Sequence, residues 1–194
     1  MILKAGIVPF HQIHYSEGMD NLPIPLTGSL LLLIAPRSFL RDALPPFIAH
    51  LAASGPIRVL DGANSFRGYA IARALRRQTS GVQAALERIQ LARAFTCYQV
   101  LTLLSETASG VIPTLGLDLL GTFYDESVPV DERRRLLEQS ILHLQRLSQT
   151  APVVLSASPS AGSQPDEWLT ILQEAAARVW RLEANSAPIP LRLL

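Results

Sequence analysis

The sequence predicts an α/β fold in which a mostly parallel central sheet is flanked by helices. Short, continuously apolar runs alternate along the chain with longer amphipathic stretches, which is the pattern of that class. The run over residues 29–35 is too continuously apolar for a half-exposed strand, so we expect a central strand buried on both faces. Two later apolar runs each end in an aspartate, Asp61 and Asp118. At 194 residues the chain has about the length of one large domain.

The remaining elements follow from periodicity and from start and stop signals. The clearest helix is 131–148, where leucines and an isoleucine recur at spacings of three and four residues behind a first turn rich in acids. Another helix, 43–53, ends at Gly55 and Pro56, and Thr96 is expected to cap a third. We expect strands at 57–60, 89–95, 111–117 and 153–157, and helices at 43–53, 67–78, 96–106, 131–148 and 167–176.

The two ends of the chain are expected to differ from this core. Prolines 9, 23 and 25 limit regular structure over residues 1–27, which we expect to be irregular. Residues 28–194 then form a single α/β domain, with 156–165 as a loop inside it. At the C-terminus, 178–183 and 189–193 could pair as an antiparallel hairpin.

Composition excludes several classes of protein. The formal net charge of +1 is far from the basic excess of a protein that binds nucleic acid mainly by phosphate neutralisation. The single Cys97 excludes an internal disulfide and a multi-cysteine metal site, and the four histidines are scattered, so we expect no metal. The longest apolar run, 30–36, is far shorter than the roughly 20 residues of a membrane helix. The first 20 residues do not resemble an export signal, so a cytoplasmic location is expected.

Three stretches, in this order, carry a resemblance to a known family: VLDGANSF, RAFTCYQVLTLLSE, and the segment from LGLDLLGTFYDES to VVLSAS. The first is similar to the segment at the end of a strand in that family, and the second to its Arg-Ala-Phe strand with the Gln-bearing helix that follows. The third is similar to the family's Walker B strand with the loop, helix and strand after it. Over residues 22–194 the sequence resembles the ATPase core of the RecA/RadA recombinase superfamily. The resemblance implies the P-loop NTPase fold, a RecA-like core.

The phosphate-binding Walker A loop of that family is degenerate here. The motif GxxxxGK[ST] works because glycines let backbone N–H groups wrap the phosphates, the lysine neutralises them and the hydroxyl holds Mg²⁺. Neither glycine, nor the lysine, nor the hydroxyl is present, and Asp42 is instead expected to be the N-cap of the next helix. The aligned positions are Ala35, Pro36, Arg37, Ser38, Phe39, Leu40, Arg41 and Asp42.

Two further positions at which the family does its chemistry are also changed, and one is kept. Ala63 stands where the family has the glutamate that polarises the attacking water. Ser158 replaces the polar residue that senses the γ-phosphate, and it is too short to reach far. Asp118 keeps the Walker B carboxylate. It could be a residual Mg²⁺ ligand, but we favour a strand-end aspartate that bonds to the backbone of the next turn.

The resemblance and these losses together lead to a functional hypothesis. We expect a RecA-like domain without a catalytic residue or a cofactor, acting through protein contacts in DNA repair or recombination, as a homo-oligomer or with a RecA-like partner. Phe123 and Tyr124, at the rim of the expected sheet, are the candidate interface residues. The alternative is an ATP-binding protein with a remodelled phosphate loop, in which Arg37 or Arg41 neutralises phosphate and Asp118 holds Mg²⁺.

DNA binding is a further alternative. The two loops that hold DNA in active recombinases read GTFYDESVPVDE and SPSAGSQPDE here, with acids and neither Lys nor Arg. One basic region remains, which we expect to be a solvated helix face and which could otherwise be a nucleic-acid patch. Its arginines are Arg67, Arg73, Arg76, Arg77, Arg88 and Arg93.

Overall fold

A computed structural model of the chain describes residues 10–12, 28–62, 64–159 and 166–182. Its centre is a seven-stranded sheet in which every pair of neighbouring strands is parallel. The strands are β1 (Phe10–Gln12), β2 (Leu30–Ile34), β3 (Ile57–Asp61), β4 (Ile89–Arg93), β5 (Thr114–Leu117), β6 (Val153–Ala157) and β7 (Arg178–Arg181). Their order across the sheet is β1-β7-β2-β6-β5-β3-β4.

Helices cover both faces of this sheet, as parallel sheets require. The helices are α1 (Arg37–Ser54), α2 (Gly68–Leu75), α3 (Val82–Glu87), α4 (Cys97–Glu106), α5 (Val130–Ser148) and α6 (Glu167–Ala175), and a 3-10 helix spans Leu119–Tyr124. The first three pack with one set of strand side chains, and α4, α5, α6 and the 3-10 helix pack with the other set. The molecule therefore has three layers, with the sheet in the middle.

The fold class predicted from the sequence is confirmed. Strand β2 is buried over its whole length between β6 and β7, so an uninterrupted apolar run is what this position requires. Strand β6 has the predicted bounds, and α5 begins one residue before the predicted start. The Thr96 hydroxyl accepts a hydrogen bond from the Gln99 N–H at 3.2 Å and caps α4 as expected.

Several expectations about local structure differ from what is observed. The strands expected at 89–95 and 111–117 are shorter, Ile89–Arg93 and Thr114–Leu117. Strand β7 runs parallel to β2 rather than forming an antiparallel hairpin, and the expected partner strand, 189–193, lies outside the described residues. Strand β1 lies within the segment expected to be irregular. Helix α3 was not predicted, and α1 begins at Arg37 instead of residue 43.

The early start of α1 is due to tertiary packing. Pro45 and Pro46 lie inside the helix, where each removes a backbone N–H donor. Leu40, Ala43 and Leu44 are buried against the sheet, and this burial holds the first two turns despite the prolines. In the part of the chain that the structure describes, none of the helices combines the length and the apolar character needed to cross a membrane.

Candidate functional site

The candidate site is a hollow of about 300 Å³ at the carboxyl ends of β2, β3, β5 and β6, between these strand ends and α1. Parallel sheets bind ligands in crevices at this edge, and 300 Å³ is at the small end of the range for ligand pockets. We call it the strand-end hollow. It is lined by Arg37, Leu40, Arg41, Leu44, Pro45, Ile48, Asn64, Ser65, Arg67, Leu117, Asp118, Ser156 and Ser158.

The connection from β2 to α1 has only two residues, Ala35 and Pro36. The Ala35 N–H donates to the Ala157 carbonyl at 3.1 Å, which fixes the connection to the neighbouring strand. Residues 37–42, aligned with the rest of the Walker A motif, are all helical. No loop that could wrap a phosphate therefore lies between β2 and α1.

Asp42 is not the N-cap of this helix, contrary to the expectation. It lies in the second turn of α1, where its exposed carboxylate is 3.5 Å from Arg41 Nε. Pro36 occupies the N-cap position, and its side chain makes no capping hydrogen bond. Pro36, Ser38 and Asp42 are not among the residues that line the strand-end hollow, whereas Arg37 and Arg41 are.

Asp118 is held by an arginine from the start of α1. Arg37 Nη2 donates to Asp118 Oδ2 at 3.2 Å, and the two side chains are 78% and 8% exposed. Burial raises the pKa of Asp118, while the charge and the hydrogen bond of Arg37 and a backbone hydrogen bond from Ser158 act in the opposite direction. Asp118 is thus a buried carboxylate with an exposed counter-ion.

The expected bonding of a strand-end aspartate to the turn that follows it is observed at Asp61, whereas the backbone donor to Asp118 is Ser158, at the end of β6. The Asp61 side chain is fully buried and accepts hydrogen bonds from the Ser65 N–H at 2.8 Å and the Phe66 N–H at 3.1 Å. Arg93 Nε lies 3.4 Å from the same carboxylate. Asp61 therefore fixes the loop after β3, and this loop forms one wall of the hollow.

Two backbone positions beside the hollow have unusual dihedral angles. Asn64 and Asp118 have φ values of 52° and 45°, the left-handed region that non-glycine residues rarely adopt. In the same loop as Asn64, Gly62 packs so closely on the 3-10 helix that a Cβ there would lie 2.6 Å from the Cα of Leu119. The loops after β3 and β5 are thus held against each other in one strained arrangement.

The two serines at the end of β6 differ in their hydrogen bonding. Ser156 Oγ donates to the Gly116 carbonyl and accepts from the Asp118 N–H, both at 3.3 Å. Ser158 Oγ is buried and has no hydrogen-bond partner among the described residues. Ala63 lies outside the described residues, so the structure gives no position for it.

Phe123 is not a surface contact residue, contrary to the expectation. It is 1% exposed and belongs to the core beneath the 3-10 helix. Tyr124 is half-buried, and its hydroxyl donates to Asp166, which caps α6. Burial, together with the nearby Asp166 carboxylate, raises the pKa of Tyr124. Both residues fasten the segment after β5 to the rest of the domain.

The six arginines of the basic region fall into two groups. Arg88 donates to the carbonyls of Ala52 and Ala53, and Arg93 pairs with Asp61, so both have structural roles. The other four are exposed and make no ion pair within the described residues: Arg67, Arg73, Arg76 and Arg77. Of the six arginines in this region, these four are the ones available to bind a ligand.

Sequence reasoning identified only part of the hollow. Arg37, Arg41, Asp118 and Ser158 were named because of the family resemblance, and the structure brings them together. The sequence did not indicate the apolar side chains of Leu44, Pro45 and Ile48, or Asn64 and Ser65 after β3. The segment Ala-Asn-Ser after Gly62 is a turn signal, and asparagine tolerates positive φ, so this sequence could have indicated Asn64.

The chemistry available in the hollow is limited. Among its described lining residues Asp118 is the one carboxylate, and Arg37 neutralises it, which leaves Arg41 and Arg67 as positive charge at the rim. No group of three or more His, Cys, Asp or Glu side chains that could hold a metal ion is found in the described part of the chain. Comparisons of the sequence with protein-family models and with curated proteins find no match.

Proposed function

We propose that this chain is a RecA-like domain that does not hydrolyse nucleotide and that acts through protein contacts, as a cytoplasmic accessory factor in DNA repair or recombination. The observation that carries the proposal is the Arg37–Asp118 ion pair. Arg37 is the first residue of α1 and directly follows the two-residue connection from β2. The sequence resemblance supplies the family, and a parallel sheet covered by helices on both faces is compatible with it.

The absence of a phosphate-wrapping loop argues against ATP hydrolysis. A P-loop needs several residues with free N–H groups to surround the phosphates, and the connection here supplies Ala35, whose N–H is already bonded, and a proline. The carboxylate aligned with the Walker B aspartate is covered by the Arg37 guanidinium. A cation of the protein itself is thus already paired with the carboxylate that would have to bind Mg²⁺.

An exposed apolar patch beside an edge strand supports the protein-contact part of the proposal. Strand β4 ends the sheet, with β3 as its single neighbour among the described residues. Leu91 on this strand, Phe95 just after it and Tyr98 at the start of α4 are exposed, Phe95 by 65%. Edge strands with exposed apolar side chains favour pairing with another chain.

The alternative function, nucleotide binding without hydrolysis, is supported by the strand-end hollow. Its rim carries Arg41 and Arg67, and its apolar wall comes from α1 and β5. In this alternative Arg41 would neutralise a phosphate group and Asp118 would accept Mg²⁺ only after releasing Arg37. The two functions predict different results in the same experiment.

Phosphate release from ATP and Mg²⁺, followed over hours at high protein concentration, tests hydrolysis. We expect the wild-type rate to equal that of an Asp118→Ala variant, and a faster wild-type rate would disprove the proposal. Calorimetry with ATP and with ADP tests binding, and we expect no heat. A saturable heat that an Arg41→Gln variant abolishes would establish the alternative.

Light scattering over a range of protein concentrations tests self-association at β4. We expect the wild-type protein to be larger than a monomer and a Phe95→Asp variant to be smaller, because a buried carboxylate opposes an apolar contact. Val111→Asp is the matched control, since Val111 is also exposed but precedes β5, at the opposite end of the strands. A wild-type protein that stays monomeric at high concentration would remove self-association from the proposal.

A further inference from the structure

A second concave surface lies between α1 and α2, next to the strand-end hollow. It is an open groove of about 440 Å³, and it shares Arg41, Pro45 and Arg67 with the hollow. We call it the α1–α2 groove. Its lining residues are Arg41, Asp42, Pro45, Pro46, Arg67, Tyr69, Ala70, Arg73, Ala74 and Arg77.

The groove is strongly positive although the whole chain is nearly neutral. Its described lining has four guanidinium groups and one carboxylate, Asp42, which lies beside Arg41. The net charge of the whole chain is only +1, so this is a local concentration of positive charge. Arg67, Arg73 and Arg77 form no ion pair in the described part of the chain. Their charge is therefore available to an anionic partner.

An aromatic side chain also lines this positive surface. Tyr69 is 80% exposed and is the most exposed aromatic residue described. Tyr69, Arg73 and Arg77 follow one another at intervals of four residues, which places Tyr69 and Arg73 on one face of α2, about 6 Å apart along its axis. An exposed ring flanked by arginines is the arrangement with which proteins stack unpaired bases and hold the adjoining phosphates.

We propose that the α1–α2 groove binds single-stranded nucleic acid, with a base stacked on Tyr69 and the backbone phosphates held by Arg67, Arg73 and Arg77. Single strands fit better than duplexes because the bases of a duplex already stack on one another and cannot cover the tyrosine ring. An acidic peptide would use the guanidinium groups but would leave the ring without a planar partner. The proposal does not depend on the absence of ATP hydrolysis.

Fluorescence anisotropy with a labelled oligothymidylate of roughly 12 nucleotides, in about 50 mM salt, tests this proposal. We expect the Arg73→Gln/Arg77→Gln variant to bind at least about tenfold more weakly and its salt-dependence slope to fall by about 0.7 for each arginine removed. Tyr69→Ala should weaken binding about fivefold or more, whereas Tyr69→Phe should bind like wild type because it keeps the ring.

A matched control removes the same charge from the opposite face of the sheet. Arg134 and Arg135 are on α5 and pair with Glu167 and Glu132, so Arg134→Gln/Arg135→Gln should bind like wild type. Thermal unfolding of each variant checks that the fold is retained. An oligouridylate of the same length shows whether RNA or DNA binds more tightly, and tighter binding of either supports the proposal.

Four outcomes would overturn the proposal. These are no binding of the oligothymidylate at low salt, equal binding of a duplex of the same length, an equal loss of binding in the α5 control, and tighter binding of polyglutamate that Tyr69→Ala leaves unchanged. The last outcome would assign the groove to an acidic protein partner.

Discussion

Asp61 and Asp118 occupy corresponding places in the sheet, yet their surroundings differ. Asp61 is the last residue of β3, Asp118 directly follows β5, and these two buried parallel strands are neighbours in the sheet. Asp61 is surrounded by its own chain, which gives it two backbone N–H donors and Arg93. Asp118 has left-handed backbone angles, and the side chain that pairs with it, Arg37, is largely exposed.

This difference separates a structural aspartate from one whose partner can be exchanged. The backbone donors to Asp61 belong to the loop that the carboxylate holds in place, so this carboxylate cannot bind another group without losing the loop. The partner of Asp118 is a long side chain that water reaches on most of its surface, and screening by solvent weakens such a pair. A ligand or a partner protein that brings its own cation could therefore take the place of Arg37 without opening a loop, whereas displacing Asp61 would open the loop after β3.

The largest effect is expected from Asp61→Ala. Removing this fully buried carboxylate takes away the acceptor of the Ser65 and Phe66 N–H groups and the partner of Arg93, and a lost partner costs up to about 1–3 kcal/mol. We expect the free energy of unfolding to fall by about 2–4 kcal/mol, measured by urea denaturation. Asp61→Asn keeps one acceptor oxygen and should lose roughly half as much.

Asp125→Ala is the matched control for this variant. Asp125 also accepts a backbone N–H, from Ser127 at 3.0 Å, but it lies on the surface, where water can replace it. Asp125→Ala should therefore lower the free energy of unfolding much less than Asp61→Ala does. Equal losses for the two variants would show that the buried hydrogen bonds of Asp61 do not hold the loop.

Much of the fold could be predicted because it depends on long, regular apolar patterns. Strand β6 and helix α5 each bury one continuous pattern, so their bounds were predicted to within one residue. The errors arose where distant parts of the chain decide the structure. Packing on the sheet carries α1 through Pro45 and Pro46, and β7 takes its direction from β2, far away in the sequence.

The candidate site was less predictable for the same reason. The ion pair between Arg37 and Asp118 joins residues 81 positions apart, and no local pattern indicates it. The two aspartates look alike in the sequence, since each simply ends an apolar run, and only the loop conformation distinguishes their roles. Arg67 was assigned to a basic patch, and its place at the rim of the hollow depends on how α2 packs on α1.

The smallest effect, and the one with the clearest sign, is expected from Arg37→Gln. Burial raises the pKa of Asp118 and Arg37 opposes that rise, so removing the guanidinium should raise the pKa further. For a carboxyl group whose pKa is higher in the folded than in the unfolded state, the stabilisation is full below the unfolded value, about 3.8, and is lost as pH rises through the folded pKa. As pH rises to neutral, the Arg37→Gln variant therefore loses more of its free energy of unfolding than the wild-type protein does.

Urea denaturation at several pH values measures this difference. We expect Arg37→Gln to lower the free energy of unfolding by less than about 1 kcal/mol at pH 7, with the difference shrinking as pH falls toward about 4. The Asp118→Asn variant should be compared in the same way with the Arg37→Gln/Asp118→Asn double variant. The difference between these two should not depend on pH, because neither has a carboxylate at position 118 to titrate. A loss that grows in acid, or that persists unchanged in the double variant, would show that Arg37 stabilises the fold through contacts other than Asp118. The comparison with Asp61 would then have to be abandoned, since Arg37 could no longer be treated as the exchangeable partner of Asp118.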